Sequence, residues 1–220
     1  MKRSYGQYCA LAKALDVVGS RWTLLVVREL LAGPRRFGDL MNGLPGIGTN
    51  LLSERLRELQ DAGVIEKRVL PPPAGSTVYE LTDRGRELGN AALQLTRWGY
   101  ESLGLPTKDE EFRVNWFIAI GQAAYQRQAA GDLSLTCEMR TSETDVSHFR
   151  IEDGKFQIVQ GPARDPDLAL AGAPRDFIDL FTGRLPPKKA IANGIALNGD
   201  LDTLQTVLEI FGLLELSETA

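Results

Sequence analysis

Histidine and cysteine are scarce in this chain: His148 is the one histidine, and Cys9 and Cys137 are the two cysteines among 220 residues. Two thiols far apart in sequence supply neither a disulfide framework nor a zinc site of recognisable spacing. The histidine lies on a polar, alternating stretch without an obvious catalytic partner and reads as a surface or strand residue. No apolar run approaches the roughly 20 residues of a membrane span, and the N-terminus carries no secretory pattern, so a soluble, cytoplasmic protein with no membrane partner is expected. Also missing are a Gly-rich phosphate loop, a nucleophile elbow and a metal-ligand cluster, so neither a cofactor nor an enzymatic activity is expected.

What is present is an average globular composition, 43% hydrophobic and 25% charged. The length suits two domains of roughly 100 residues each. The net charge of -4 hides an asymmetry. Residues 1–105 carry 14 Lys and Arg against 11 Asp and Glu, net +3, which leaves 11 against 18, net -7, in residues 106–220. This division gives the expected domains, 1–105 and 106–220, of which only the first is suited to phosphate.

In the first half, Leu11, Leu15, Val18 and Trp22 recur at helical spacing and predict an amphipathic helix from Tyr8 to about Gly19. Thr23 to Leu31 is apolar nearly all round, the mark of a buried helix, and Gly33-Pro34 stops it. Phe37, Leu40, Met41 and Leu44 give a short helix closed by Pro45-Gly46. Thr49 to Ala62 forms the next, with Leu52, Leu56 and Leu59 inward and Gly63 at the C′ position. Its opposite face carries Thr49, Asn50, Ser53, Glu54 and Arg57, short hydrogen-bonding groups and one long cation that suit base edges and phosphates in a major groove. Val64 to Leu70 and Thr77 to Leu81 read as a hairpin across Pro71 to Ser76, a wing whose Lys67 and Arg68 meet the phosphate backbone. Thr82 then caps a final helix with Leu88, Ala92, Leu95 and Gly99 along one side.

That order of elements is a winged helix-turn-helix. The stretches Tyr8 to Leu30, Arg36 to Leu40, Leu52 to Leu59 and Tyr79 to Gly85 resemble the HxlR family of bacterial transcriptional regulators over about residues 5–103. The resemblance implies a homodimer, built through the first and last helices, on an inverted-repeat operator in double-stranded DNA. It also implies basic groups near DNA at Arg36, Arg55 and Arg57. Two roles stay open for Arg55, which flanks the inward stripe: DNA contact, or an internal ion pair. Cys9 matches the family's N-terminal cysteine, a thiol sensor in some members, but Ala10 replaces the usual proline and no activating cation is evident. A buried, inert thiol is the expectation.

In the second half, Gly104 to Glu111 reads as a linker, and Phe112 to Ala130 as one long helix with Trp116, Ile120, Ala123 and Ala124 on a common side. Leu133 to Arg140, Val146 to Glu152 and Lys155 to Gln160 alternate as antiparallel strands, with a tight turn at Asp153-Gly154. A strand at Asp167 to Ala171, helices from Pro174 and Pro186, a strand at Ile195 to Leu197 and a helix from Leu201 to Leu214 complete an antiparallel sheet with helices on one face. The fold class is therefore α+β. Asp167 to Leu170, Asp176 to Leu185, Lys189 to Gly194 and Leu197 to Asp200 resemble the sterol carrier protein type of lipid-binding domain over about residues 112–214. The resemblance implies an apolar site between sheet and helices, with Trp116, Ile120, Phe149, Phe156, Phe177, Phe181, Leu204 and Leu208 as candidate lining. Plain core packing competes for each of these.

The leading expectation is a DNA-binding transcriptional regulator controlled by a small hydrophobic ligand. The alternative is a lipid or metabolite carrier whose winged domain mediates protein contacts.

Overall fold

A computed structural model of the chain describes residues 4–71, 75–100, 102, 107, 109–125 and 127–211. Two compact units emerge, Met1–Ala92 and Leu93–Ala220.

The first unit opens with α1 (Ala10–Val18), capped by Gly19, and α2 (Thr23–Leu31). Trp22, expected on the first helix's stripe, instead stands between the two helices in a left-handed conformation, φ 77°. Its ring packs against the core, and this tertiary anchor offsets the backbone cost. The apolar stripe of α1 is not buried by the chain, with Leu11 67% and Leu15 39% exposed. In α2, Val26, Val27 and Leu30 are buried as expected, while Leu25 is exposed.

Next come α3 (Phe37–Gly43), whose first turn is capped by Asp39 accepting from the Arg36 N–H at 2.9 Å, and α4 (Thr49–Asp61). Gly46, at φ 87°, supplies the left-handed turn between them. The hairpin pairs β1 (Ile65–Val69) with β2 (Thr77–Leu81), setting Lys67 opposite Tyr79 and Arg68 opposite Val78. Pro72, Pro73 and Ala74 of the expected loop lie outside the described residues. In α5 (Asp83–Tyr100), the Thr82 hydroxyl accepts from the Gly85 N–H, satisfying an orphan donor of the first turn. One core joins α2, α3, α4 and the hairpin through Val26, Leu40, Leu52, Leu56, Leu59 and Ile65.

The expected linker falls partly outside the described residues, at 104–106 and 108. Beyond it, the long helix expected over 112–130 is two: α6 (Val114–Ala124) and α7 (Arg127–Ala130). Tyr125 leaves the helical conformation, ψ 124°, and its ring packs 5.3 Å from Phe156, so an aromatic contact with the sheet replaces helical continuity. The sheet comprises β3 (Leu135–Arg140), β4 (Val146–Glu152), β5 (Lys155–Gln160), β6 (Leu168–Ala171) and β7 (Ala196–Asn198), in the order β5-β4-β3-β6-β7. Asp153 and Gly154, both at positive φ, make the tight β4–β5 turn. The antiparallel expectation holds for three ladders, but β6 runs parallel to β3.

Parallel pairing follows from the strap at residues 161–167, which returns the chain across the outer face of the sheet. His148 Nδ1 lies 2.9 Å from the Gly161 carbonyl, the Ala163 N–H donates to Glu138 at 2.8 Å, and the Thr136 N–H donates to the Asp167 carboxylate at 2.7 Å. Of the two expectations for His148, surface or strand, the strand one holds: it lies in β4 and is buried at 2% exposure. The inner face, including Cys137, Met139, Phe149 and Leu170, is covered by α6, α8 (Pro174–Phe181) and α10 (Leu201–Ile210), with the short α9 (Pro187–Asn193) following α8. Residues 212–214 of the expected last helix lie outside the described residues.

Candidate functional site

Burial of Leu52, Leu56 and Leu59 fixes the rotation of α4 and turns Thr49, Asn50, Ser53 and Arg57 outward, all four exposed. None of these side chains makes a hydrogen bond or ion pair among the described residues, so their polar groups are available to a ligand. Arg36 is exposed at the start of α3. Arg55 differs. It is 7% exposed and its guanidinium pairs with Glu54 at 3.0 Å and with Glu58 one turn on. Beside the leucine stripe, its stem is drawn against the core and its charge is balanced, so of its two roles the geometry favours the internal brace.

On the wing the two cations have different surroundings. Lys67 Nζ stands 5.6 Å from the centre of the Tyr79 ring, whereas Arg68 is paired with Glu80, Nε to carboxylate 2.6 Å. A third cation, Arg35, locks the hairpin in place. Its N–H donates to the Tyr79 carbonyl at 2.9 Å, its own carbonyl accepts from the Tyr79 N–H at 2.7 Å, and its Nε donates to the Glu29 carbonyl. Burial pulls the Arg35 guanidinium below its ordinary pKa, against the opposing charges of Glu29 and Asp39. Beside Arg36 in sequence, Arg35 reads as another solvated cation, and no local signal marks its burial.

In the second unit, Phe177, Leu204 and Leu208 are fully buried core. Trp116 and Ile120 are half-buried and do not line the cavity. Phe156 stacks on Phe149 at 5.0 Å. Phe149 and Phe181 do converge, joined by Phe117, Ile118, Gly121, Met139 and Phe211, none of which the sequence reading selected. The space left among them is about 10 Å³, room for one water.

Cys9 is exposed at the N-cap of α1, which corrects the expectation of a buried thiol: Ser4 and Tyr5 fold back onto Asp16 of α1 and leave the sulfur uncovered. The buried thiol is Cys137, pushed far above its ordinary pKa by burial first and by the charges of Glu138 and Asp167 second. Among the described residues no group of three or more His, Cys, Asp or Glu is placed to hold a metal, and no helix is long and apolar enough to cross a membrane.

Comparison with known proteins bears on both units. Residues 17–105 match the HxlR-like helix-turn-helix family, and residues 123–212 match the SCP-2 sterol transfer family. The chain is 37% identical over 98 residues to the HTH-type transcriptional regulator sll1512 of Synechocystis, covering 44% of this chain and 73% of that protein. It is also 37% identical over 89 residues to the HTH-type transcriptional regulator YvaP of Bacillus subtilis, 40% of this chain and 82% of that protein. Among solved structures, the reduced form of the transcriptional regulator YodB from B. subtilis is similar at 28% identity, covering 46% of this chain and all of that one, with a TM-score of 0.39.

Proposed function

The chain belongs to the HxlR-like helix-turn-helix family, and from that premise we infer a DNA-binding transcriptional regulator that reads an inverted-repeat operator through the outer face of α4. The observation carrying this reading is the row of Thr49, Asn50, Ser53 and Arg57, exposed and without partners among the described residues, on a helix whose other face is locked into the core. A helix so presented fits a major groove, Arg57 reaching base edges or phosphates while Arg36 and Lys67 meet the flanking backbone. Arg68, already neutralised by Glu80, is a lesser contributor, and Arg55 serves stability.

The regulator acts as a homodimer. Tyr8, Leu11 and Leu15 of the α1 region and Leu95 and Trp98 of α5 are large apolar side chains left in solvent by the single chain, a pattern that supports pairing with a second copy. Two copies place two recognition helices on half-sites about one helical turn apart, roughly 34 Å. The second unit, related to the SCP-2 family, receives an apolar effector that biases this spacing.

Electrophoretic mobility shift with an operator and a scrambled duplex tests the assignment. Arg57→Ala weakens operator binding about tenfold or more and narrows the preference over the scrambled duplex. An Arg57→Ala protein as tight and selective as wild type would overturn the reading.

A further inference from the structure

A carboxylate lies where the winged unit is otherwise apolar. Glu29 is 3% exposed in α2, beside the buried Val26, Val27 and Leu30. Helical spacing puts 26, 29 and 30 on the face turned to the core, where a leucine would pack without the cost of stripping water from a charge. A carboxylate placed there adds little net stability over an apolar side chain. What it adds is direction, since charge-assisted hydrogen bonds hold their partners at one distance and angle whereas apolar surfaces slide.

Glu29 meets the end of α3. Its Oε1 accepts from Arg28 Nη2 at 2.8 Å and from Arg28 Nε at 3.1 Å, and the same Nη2 donates to the Gly43 carbonyl at 3.5 Å. The other oxygen, Oε2, stands 2.5 Å from the place that a β-carbon on Gly43 would take. Gly43 is the last residue of α3 and is buried. With no side chain there, the helix end closes on the carboxylate, and the turn that leads through Leu44 into α4 starts from that contact.

The same residue reaches the wing. Its backbone carbonyl accepts from Arg35 Nε at 3.3 Å, and Arg35 exchanges two backbone hydrogen bonds with Tyr79 of β2. Arg35 Nη2 is shut off from water with no hydrogen-bond partner among the described residues, so its charge is balanced through space by the carboxylates of Glu29 and Asp39. Tyr79 in turn lies under Lys67. One buried acid thus ties the approach to α4 and the base of the wing to a single turn of α2.

We propose that Glu29 is a positioning residue for operator reading, fixing α4 and the wing relative to each other so that Arg57 and Lys67 engage one half-site together. This role rests on the reading of α4 and the wing as the DNA-contacting elements, and adds the residue that sets them in register. Buried as it is, Glu29 itself does not touch DNA. Its loss spares the general attraction to phosphate and blurs the registered fit on which selectivity depends. Glu29→Gln keeps the shape and removes the charge. Arg28, partly exposed, then turns to water and Arg35 keeps Asp39, so the unit folds. Gly43→Ala instead leaves the charge and pushes the far end of the Glu29 side chain from its place.

Mobility-shift titrations of the full chain, on operator and on scrambled duplex and well below each variant's thermal midpoint, test this directly. Glu29→Gln and Gly43→Ala each bind the operator about tenfold more weakly and the scrambled duplex within about twofold of wild type, with unchanged circular dichroism. The double variant loses no more than the weaker-binding single one, because both changes act through one contact. In the Glu29→Gln background Lys67→Ala no longer alters the salt slope, since the wing is no longer held over its phosphate. A purely structural role would lower the thermal midpoint and leave selectivity as it is. If Glu29→Gln does not fold, Gly43→Ala decides. Wild-type selectivity in a folded variant, equal losses on both duplexes, losses that multiply in the double variant, or a salt slope still sensitive to Lys67→Ala each overturns the assignment. Arg57→Ala measured beside them separates the two readings. Selectivity lost at Arg57 and kept at Glu29 and Gly43 removes the positioning role alone, whereas an Arg57→Ala protein equal to wild type removes the DNA-reading assignment and this role with it.

Discussion

The Nε of Arg68 lies 2.6 Å from a carboxylate oxygen of Glu80 on the facing strand of the wing. The pair leaves Lys67, against the Tyr79 ring, as the wing's uncompensated cation among the described residues of the hairpin. Lys67→Ala therefore reduces the slope of log affinity against log salt by about one, while Arg68→Ala changes it by less than half of that. Glu80→Gln releases Arg68 and steepens the slope. Equal effects of the Lys67 and Arg68 variants in a salt titration would refute the division of labour.

Arg55 and Arg57 are separated by their burial. Arg55→Ala leaves two glutamates of α4 without their cation and lowers unfolding free energy by about 1–2 kcal/mol, a figure discounted for the partial exposure of both partners. Arg57→Ala leaves stability within about 0.5 kcal/mol of wild type. Urea denaturation of the two variants, beside their operator affinities, checks the contrast.

Gly85 lies in the first turn of α5, and a β-carbon there would meet the Val64 carbonyl oxygen at 2.1 Å. That oxygen belongs to the backbone just before β1 and cannot swing aside as a side chain does. Gly85→Ala destabilises the winged unit by about 1–3 kcal/mol, although alanine favours helix elsewhere. A rise in thermal midpoint would contradict the geometry.

The exposed stripe of α1 predicts a variant that fails in assembly rather than in folding. Leu11, 67% exposed, contributes nothing to the core of its own chain, so Leu11→Asp keeps the secondary structure. Its charge is intolerable in an apolar interface, and the protein elutes as a monomer with operator affinity reduced by at least tenfold. Light scattering coupled to gel filtration reads the first effect and mobility shift the second.

The two thiols differ in both access and titration. Native protein at pH 8 reacts with one equivalent of a thiol reagent, at exposed Cys9, and denatured protein with two. Cys137 keeps its proton in the folded state to well above the ordinary thiol value of about 8.5. As pH rises past that value the unfolded chain loses a proton that the folded chain retains, so stability falls in the alkaline range. Cys137→Ala flattens that alkaline limb, and an unchanged limb would count against the shift.

Sequence reading succeeded where one periodicity had one outcome. In α4, Leu52, Leu56 and Leu59 recur every third or fourth position against a complement that is polar except for Leu51, and this fixes the rotation and with it the outward set of Thr49, Asn50, Ser53 and Arg57. In α6 the same method misplaced the face. Val114, Trp116, Phe117, Ile118 and Ile120 are apolar nearly all round, so spacing did not distinguish Trp116 and Ile120 from the face actually buried, Val114, Ile118 and Gly121. Met139 and Phe211 escaped because their roles are set by register and by a helix end meeting a distant glycine. Arg35 escaped because its burial depends on Tyr79, far along the chain, and Cys9 because nothing in its own spacing tells whether the segment before α1 covers it. The parallel β6 escaped because the direction of a strand lies in its strap, whose anchors Glu138 and His148 look like ordinary polar positions of a strand.

Pairing of β6 with β3 has a consequence for the order of assembly. The meander of β3, β4 and β5 closes through local turns, but β6 finds its place only after the chain has travelled back over a finished meander, and β7 then adds to β6. Long-range closure of this kind is slow, whereas the helical unit ahead of it is made of neighbouring elements and leaves the ribosome first. A nascent chain can thus own a complete operator-reading module while its downstream sheet is still unfinished, and until β6 docks, the edge of β3 is an open invitation to misplaced strands.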